Sequence, residues 1–120
     1  MIKIISKKNF KKEVIENESL SLVQFKTDWS GVCHIIEPVY SDLVNTYSNV
    51  ASFYTVDVEE EAGLDQEYGV MEIPTILFFK SGKIVDHSIG LTSKIELTKK
   101  IENALIELMP GLENNDQEVS

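Results

Sequence analysis

Arginine is missing from these 120 residues, and cysteine occurs once. Twenty acids set against eleven lysines leave a formal net charge of −9, which opposes attraction to nucleic acid phosphates or to an anionic membrane surface. Neither is expected as a partner. The lone Cys33 excludes an intrachain disulfide, which fits a reducing compartment, and the cytoplasm is the natural location. Cys33, His34 and His87 reproduce no compact ligand spacing, so neither a metal nor a cofactor is expected. No stretch approaches the ~20 apolar residues of a membrane span, and the opening M-I-K-I-I-S-K-K is too short for a signal-peptide core. Composition is otherwise that of a globular domain, with 42% hydrophobic residues and only three Pro and six Gly.

What is present alternates. I-K-I-I (2–5) reads as a strand, and the Lys-rich segment 7–18 after it reads as a helix, with Phe10 and Val14 one turn apart. S-L-V-Q-F-K (21–26) reads as a second strand. From Val32 to Ser48, Ile36, Val39, Tyr40, Leu43, Val44 and Tyr47 recur at spacings of three and four, the pattern of a long amphipathic helix. A-S-F-Y-T-V-D (51–57) is a third strand, and the acidic run after it reads as a shorter helix ended by Gly69. T-I-L-F-F-K, then S-G, then K-I-V-D-H-S-I is a hairpin. Ser93 with Glu96 has the form of a capping box opening a last helix, with Leu97, Ile101, Leu105 and Leu108 on one side and Pro110–Gly111 as its stop. Strands alternating with helices and closed by a hairpin predict an α/β fold with a central mixed sheet of about five strands and helices on both faces. Residues 1–111 form the expected domain and 112–120 a polar tail.

The chemistry concentrates at D-W-S-G-V-C-H (28–34), a segment shaped like an aromatic followed by C-x-x-C but with Ser30 at the first sulfur position. Ser30 stands where a helix begins, and there a Ser side chain caps free backbone N–H groups. Cys33 falls in the first helical turn, where the macrodipole favours thiolate while burial opposes it. His34 points about 100° away from Cys33 around the helix and is expected to be exposed, which leaves Ser30, three positions earlier, as the hydrogen-bond neighbour of Cys33.

Over residues 2–109 the chain resembles thioredoxin. Trp29 precedes the S-x-x-C, Gly31 stands where the family's C-G-P-C has its Gly, and Pro38 lies five residues after Cys33. I73-P74-T75 resembles the cis-proline segment, and Gly90 matches the Gly after the last strand. The resemblance implies the thioredoxin fold and a dithiol mechanism, in which the first Cys attacks a substrate disulfide and the second releases it. Ser30 cannot make that attack, because a hydroxyl is a far weaker acid than a thiol and no adjacent base is in view. The family's buried Asp before the motif is Gln24 here, and its Lys partner on the next strand is expected at Phe53.

What survives of the family pattern is a groove for an extended peptide, which the resemblance places at Trp29, Gly31, Val32, Ile73, Pro74, Gly90 and Leu91. Six acids and no base between 59 and 72, ending at Glu72, favour a neutral or basic partner. The expected function is therefore a peptide- or protein-binding, or one-thiol redox-sensing, module in cell redox homeostasis. Three alternatives stay open: a weak monothiol oxidoreductase acting through Cys33, an active thioredoxin altered by a Cys-to-Ser change at position 30, and a thiol peroxidase. S-x-x-C also resembles the T/S-x-x-C of peroxiredoxins, but their Arg beside the thiolate and their upstream Pro have no counterparts here.

Overall fold

A computed structural model describes residues 2–106. Five strands form one mixed sheet in the order β1–β3–β2–β4–β5. These are β1 (Ile2–Ile4), β2 (Leu20–Lys26), β3 (Ala51–Asp57), β4 (Thr75–Lys80) and β5 (Lys83–Ile89). β1 and β2 run parallel to β3, whereas β4 runs antiparallel to both β2 and β5. The helices are α1 (Lys7–Phe10), α2 (Gly31–Tyr47), α3 (Leu64–Glu67) and α4 (Lys94–Ile106).

Alternation along the strands divides the core into two layers. Leu20 and Leu22 of β2, Phe53 of β3, and Ile76 and Phe78 of β4 pack with Ile36, Tyr40 and Leu43 of α2 and with Leu97 and Ile101 of α4. On the other face Val23, Phe25, Tyr54, Val56, Leu77 and Phe79 pack with Phe10, Val14 and Leu64. Tyr40 is fully buried, and its hydroxyl lies within hydrogen-bond distance of the Leu22 and Tyr54 carbonyls at 3.0 and 2.8 Å. That contact ties α2 to two neighbouring strands.

The expected helix at 7–18 is present in another form. After α1 the chain widens into a π-helical turn, Lys11–Ile15, with the Glu16 N–H donating to the Lys11 carbonyl at 2.9 Å. Phe10 and Val14 are both buried, as their spacing predicts. The helix expected after β3 shrinks to the four residues of α3. Asp57 explains part of this, because its Oδ1 accepts from the Glu59 and Glu60 N–H groups and folds those residues into a turn. Gly63, at φ +93°, then sets the late start of α3.

The hairpin turn requires its glycine. Ser81 and Gly82 both have positive φ, and a Cβ on Gly82 would stand 3.0 Å from the Ile15 carbonyl oxygen. Ser93 Oγ accepts from the Glu96 N–H at 3.1 Å, as expected for the start of α4. Leu108, the Pro110–Gly111 stop and the 112–120 tail lie outside the described residues. No described helix is long and apolar enough to cross a membrane.

Candidate functional site

β2 delivers the chain into the Asp28–Ser30 segment, and α2 leaves from it. Ser30 is extended at φ −82°, ψ 121°, and its Oγ accepts from the Cys33 backbone N–H at 3.4 Å. The hydrogen bond expected between Ser30 and Cys33 therefore exists, but it runs to the amide and not to the sulfur. Cys33 is 2% exposed, on the inward side of α2 with Ile36 and Tyr40. His34 is exposed, and its Nε2–H donates to the Asp28 carbonyl at 2.7 Å, which pins the motif loop and directs the imidazole to the backbone.

A short ion pair supports the same loop from the end of β2. Lys26 Nζ stands 2.6 Å from Asp28 Oδ1. The hydrogen bond from Lys26 holds the Asp28 carboxyl below the usual carboxylate range, and the same bond raises the Lys26 ammonium. Sequence reasoning passed over this pair, which joins the last residue of β2 to the turn that follows it.

Gln24 lies on the sheet face that α2 covers, 3% exposed, with no hydrogen-bond partner for its side-chain nitrogen. Parallel register sets Gln24 beside Thr55, whereas Phe53 stands beside Leu22 in the core. Phe53 therefore lies two residues along β3 from the direct partner of Gln24 and on the same sheet face. Neither Thr55 nor Phe53 carries a charge.

The expected groove residues separate into two groups. Trp29, 70% exposed, and the half-buried Ile73 line one cleft of about 220 Å³, with Val58, Val70 and Met71 completing its apolar walls. Glu59, Asp65 and Glu72 also line it, and none of the three forms a salt bridge among the described residues. Gly31, Val32, Pro74, Gly90 and Leu91 do not line this cleft. Pro74 is buried behind a cis Ile73–Pro74 peptide, and its carbonyl accepts from the Gly90 N–H at 2.7 Å. Pro74 and Gly90 therefore hold the Ile73 loop against the end of β5, while Val32 and Leu91 stay exposed beyond the cleft. Val58, Val70 and Met71 escaped sequence reasoning, which had only the acidic run to mark their neighbourhood. Among the described residues no group of three His, Cys, Asp or Glu side chains is placed to hold a metal ion.

Comparison with known proteins agrees with this architecture. The thioredoxin family model matches residues 1–103. A thioredoxin of Chlorobaculum thiosulfatiphilum is 35% identical over 95 residues, covering 79% of this chain and 88% of the relative. A thioredoxin of Rickettsia felis is 31% identical over 101 residues, covering 84% of this chain and 96% of the relative. A chloroplastic M-type thioredoxin of Spinacia oleracea is 35% identical over 101 residues, 84% of this chain but 56% of that longer protein. With family model, strand order and helix placement in agreement, the chain belongs to the thioredoxin family.

Proposed function

We propose that this protein binds extended segments of protein partners, neutral or basic, across the Trp29–Ile73 cleft, and that it no longer performs dithiol–disulfide exchange. One observation carries the reading: an exposed Trp29 shares an acid-rimmed apolar cleft with Ile73, while the nearby Cys33 is buried. Exposed apolar clusters mark interaction sites, and a loop held as Ile73 is held can present backbone groups to an extended chain.

The loss of exchange chemistry rests on three residues. Ser30 has no thiolate to attack a disulfide and instead caps α2. Gln24 does not titrate, so it cannot pass a proton to or from Cys33. Thr55 supplies no charge beside it. A redox role that remains runs through one-thiol chemistry at Cys33, whose burial slows attack on any bulky disulfide.

Two measurements test the reading together. The purified chain, fed by a dithiol reductant, should reduce insulin disulfides no faster than the reductant alone, because release of a mixed disulfide needs a second thiol. Lys-containing extended peptides should perturb Trp29 fluorescence, and their Glu counterparts should not. Catalytic turnover above background, or indifference of Trp29 to every peptide, overturns the corresponding half.

A further inference from the structure

We propose that the bound segment continues over Met71 into a second hollow on the outer face of the β4–β5 hairpin, where a bulky apolar side chain of the same basic segment is received. This rests on the peptide-binding reading above and adds to it an anchor and a partner chemistry. The second hollow measures about 470 Å³ and is lined chiefly by Tyr68, Met71, Leu77, Ile84, His87 and Ile89. Its floor follows from register: Leu77 opposes His87, and Thr75 opposes Ile89, so these side chains share the sheet face on which α1 and α3 lie.

The short α3 leaves the outer end of that face uncovered. Leu77 is 5% exposed, but Ile84 is 46% and Ile89 53% exposed on the edge strand. Val70, Met71 and Glu72 line both hollows, so one ridge separates them and one extended chain can cross it. Met71, 96% exposed, is an unbranched and adaptable side chain on that ridge.

Charge selects the occupant. No Lys lines either hollow, Glu72 lies at their junction, and Glu59 and Asp65 flank the cleft. With a net charge of −9 on the chain, a basic segment is attracted and a second copy is repelled.

The test uses fluorescein-labelled peptides of about twelve residues, about 40 Å when extended, alternating Lys and Ser and carrying one Trp moved through each position. The best-placed Trp should tighten binding about tenfold or more over the Trp-free parent. Ile84→Ser combined with Ile89→Ser, which adds no charge, should cancel that gain, while Trp29→Ala weakens the parent and the Trp-bearing peptide alike. Parent binding that depends on Trp29 but gains nothing from Trp at any position overturns this proposal alone. Failure of every peptide to bind overturns the peptide-binding reading with it. Equal affinity for Glu-for-Lys counterparts refutes a basic occupant, and a free chain that sediments as a dimer broken by the double Ser variant shows a second copy there instead, which also overturns it.

Discussion

Trp29 and Cys33 stand four residues apart, yet the indole is 70% exposed and the thiol 2% exposed. The cause is local geometry. Trp29 precedes the helix on a segment fixed by Lys26–Asp28 and His34, whereas Cys33 lies on the inward stripe of α2 with Ile36 and Tyr40. An apolar side chain is presented at one position and the only thiol is withheld at the other. Ser30 lies between them, and its hydroxyl caps the start of α2.

The widest separation of the two regions should come from placing a sulfur at position 30. Ser30→Cys is expected to form a disulfide with Cys33 on oxidation, yet to remain a poor catalyst because Gln24 still cannot transfer a proton. Ser30→Cys with Gln24→Asp should turn over about 10²-fold faster than Ser30→Cys alone, within the usual range for general acid–base catalysis. Equal insulin-reduction rates for the two variants would show that Gln24 is not what limits the site. Peptide binding should persist in both, since neither substitution touches the cleft.

Trp29→Ala addresses the other region. Loss of a large exposed aromatic from a binding cleft should weaken a Lys-containing peptide about tenfold to a hundredfold, the range for a residue that dominates an interface. Thermal stability should barely move, because the side chain buries little area in the free protein. A large fall in Tm with unchanged affinity would mark Trp29 as a packing residue and refute the comparison.

Ser30→Ala asks how much the hydroxyl contributes to the fold. The bond to the Cys33 N–H is 3.4 Å, at the long end for a cap, so a loss of about 0.5–1 kcal/mol in denaturant-derived stability is expected. No change would mean that water caps the helix equally well. A loss beyond ~2 kcal/mol would mean that Ser30 holds more than the helix terminus.

The fold was legible in the sequence where periodicity and turn chemistry agree. β3 occupies Ala51–Asp57 as expected, and the Ser81–Gly82 hairpin joins the expected strands. The expectation held only in part where backbone capping overrode composition: Asp57 bends the start of the acidic run after β3 into a turn, and the helix forms only at Leu64–Glu67. The site was half legible. Trp29, Ser30, Cys33 and Ile73 could be named because their spacing resembles a known motif, whereas Met71, Val58 and the Lys26–Asp28 pair depend on loops meeting in space. The surroundings of Gln24 show the limit of a period-two pattern, which fixes the face of a residue but not which residue stands directly beside it.

The smallest expected effect concerns the Lys26–Asp28 pair, whose Asp28 directly precedes Trp29. Asp28 titrates below its ordinary range because Lys26 donates to it, so the pair's contribution is present above the unfolded carboxyl pKa and fades as pH falls through the lower folded value. Lys26, raised by the same bond, loses its contribution only as pH climbs through its own elevated value, so the pair is intact across neutral pH. Lys26→Met should therefore return the Asp28 carboxyl toward its usual pKa, as read by carbon-detected NMR titration. Because Asp28 is exposed, solvent and salt screen the pair, and the variant's Tm at neutral pH should move little. The more telling readout is the Trp29 indole resonance. If the pair orders the loop, Trp29 should show an acid transition that follows Asp28 in the native chain and is lost in Lys26→Met, which has no pair to break. A Trp29 resonance indifferent to Asp28 ionisation would show instead that the His34–Asp28 backbone bond alone fixes the presented side of the motif.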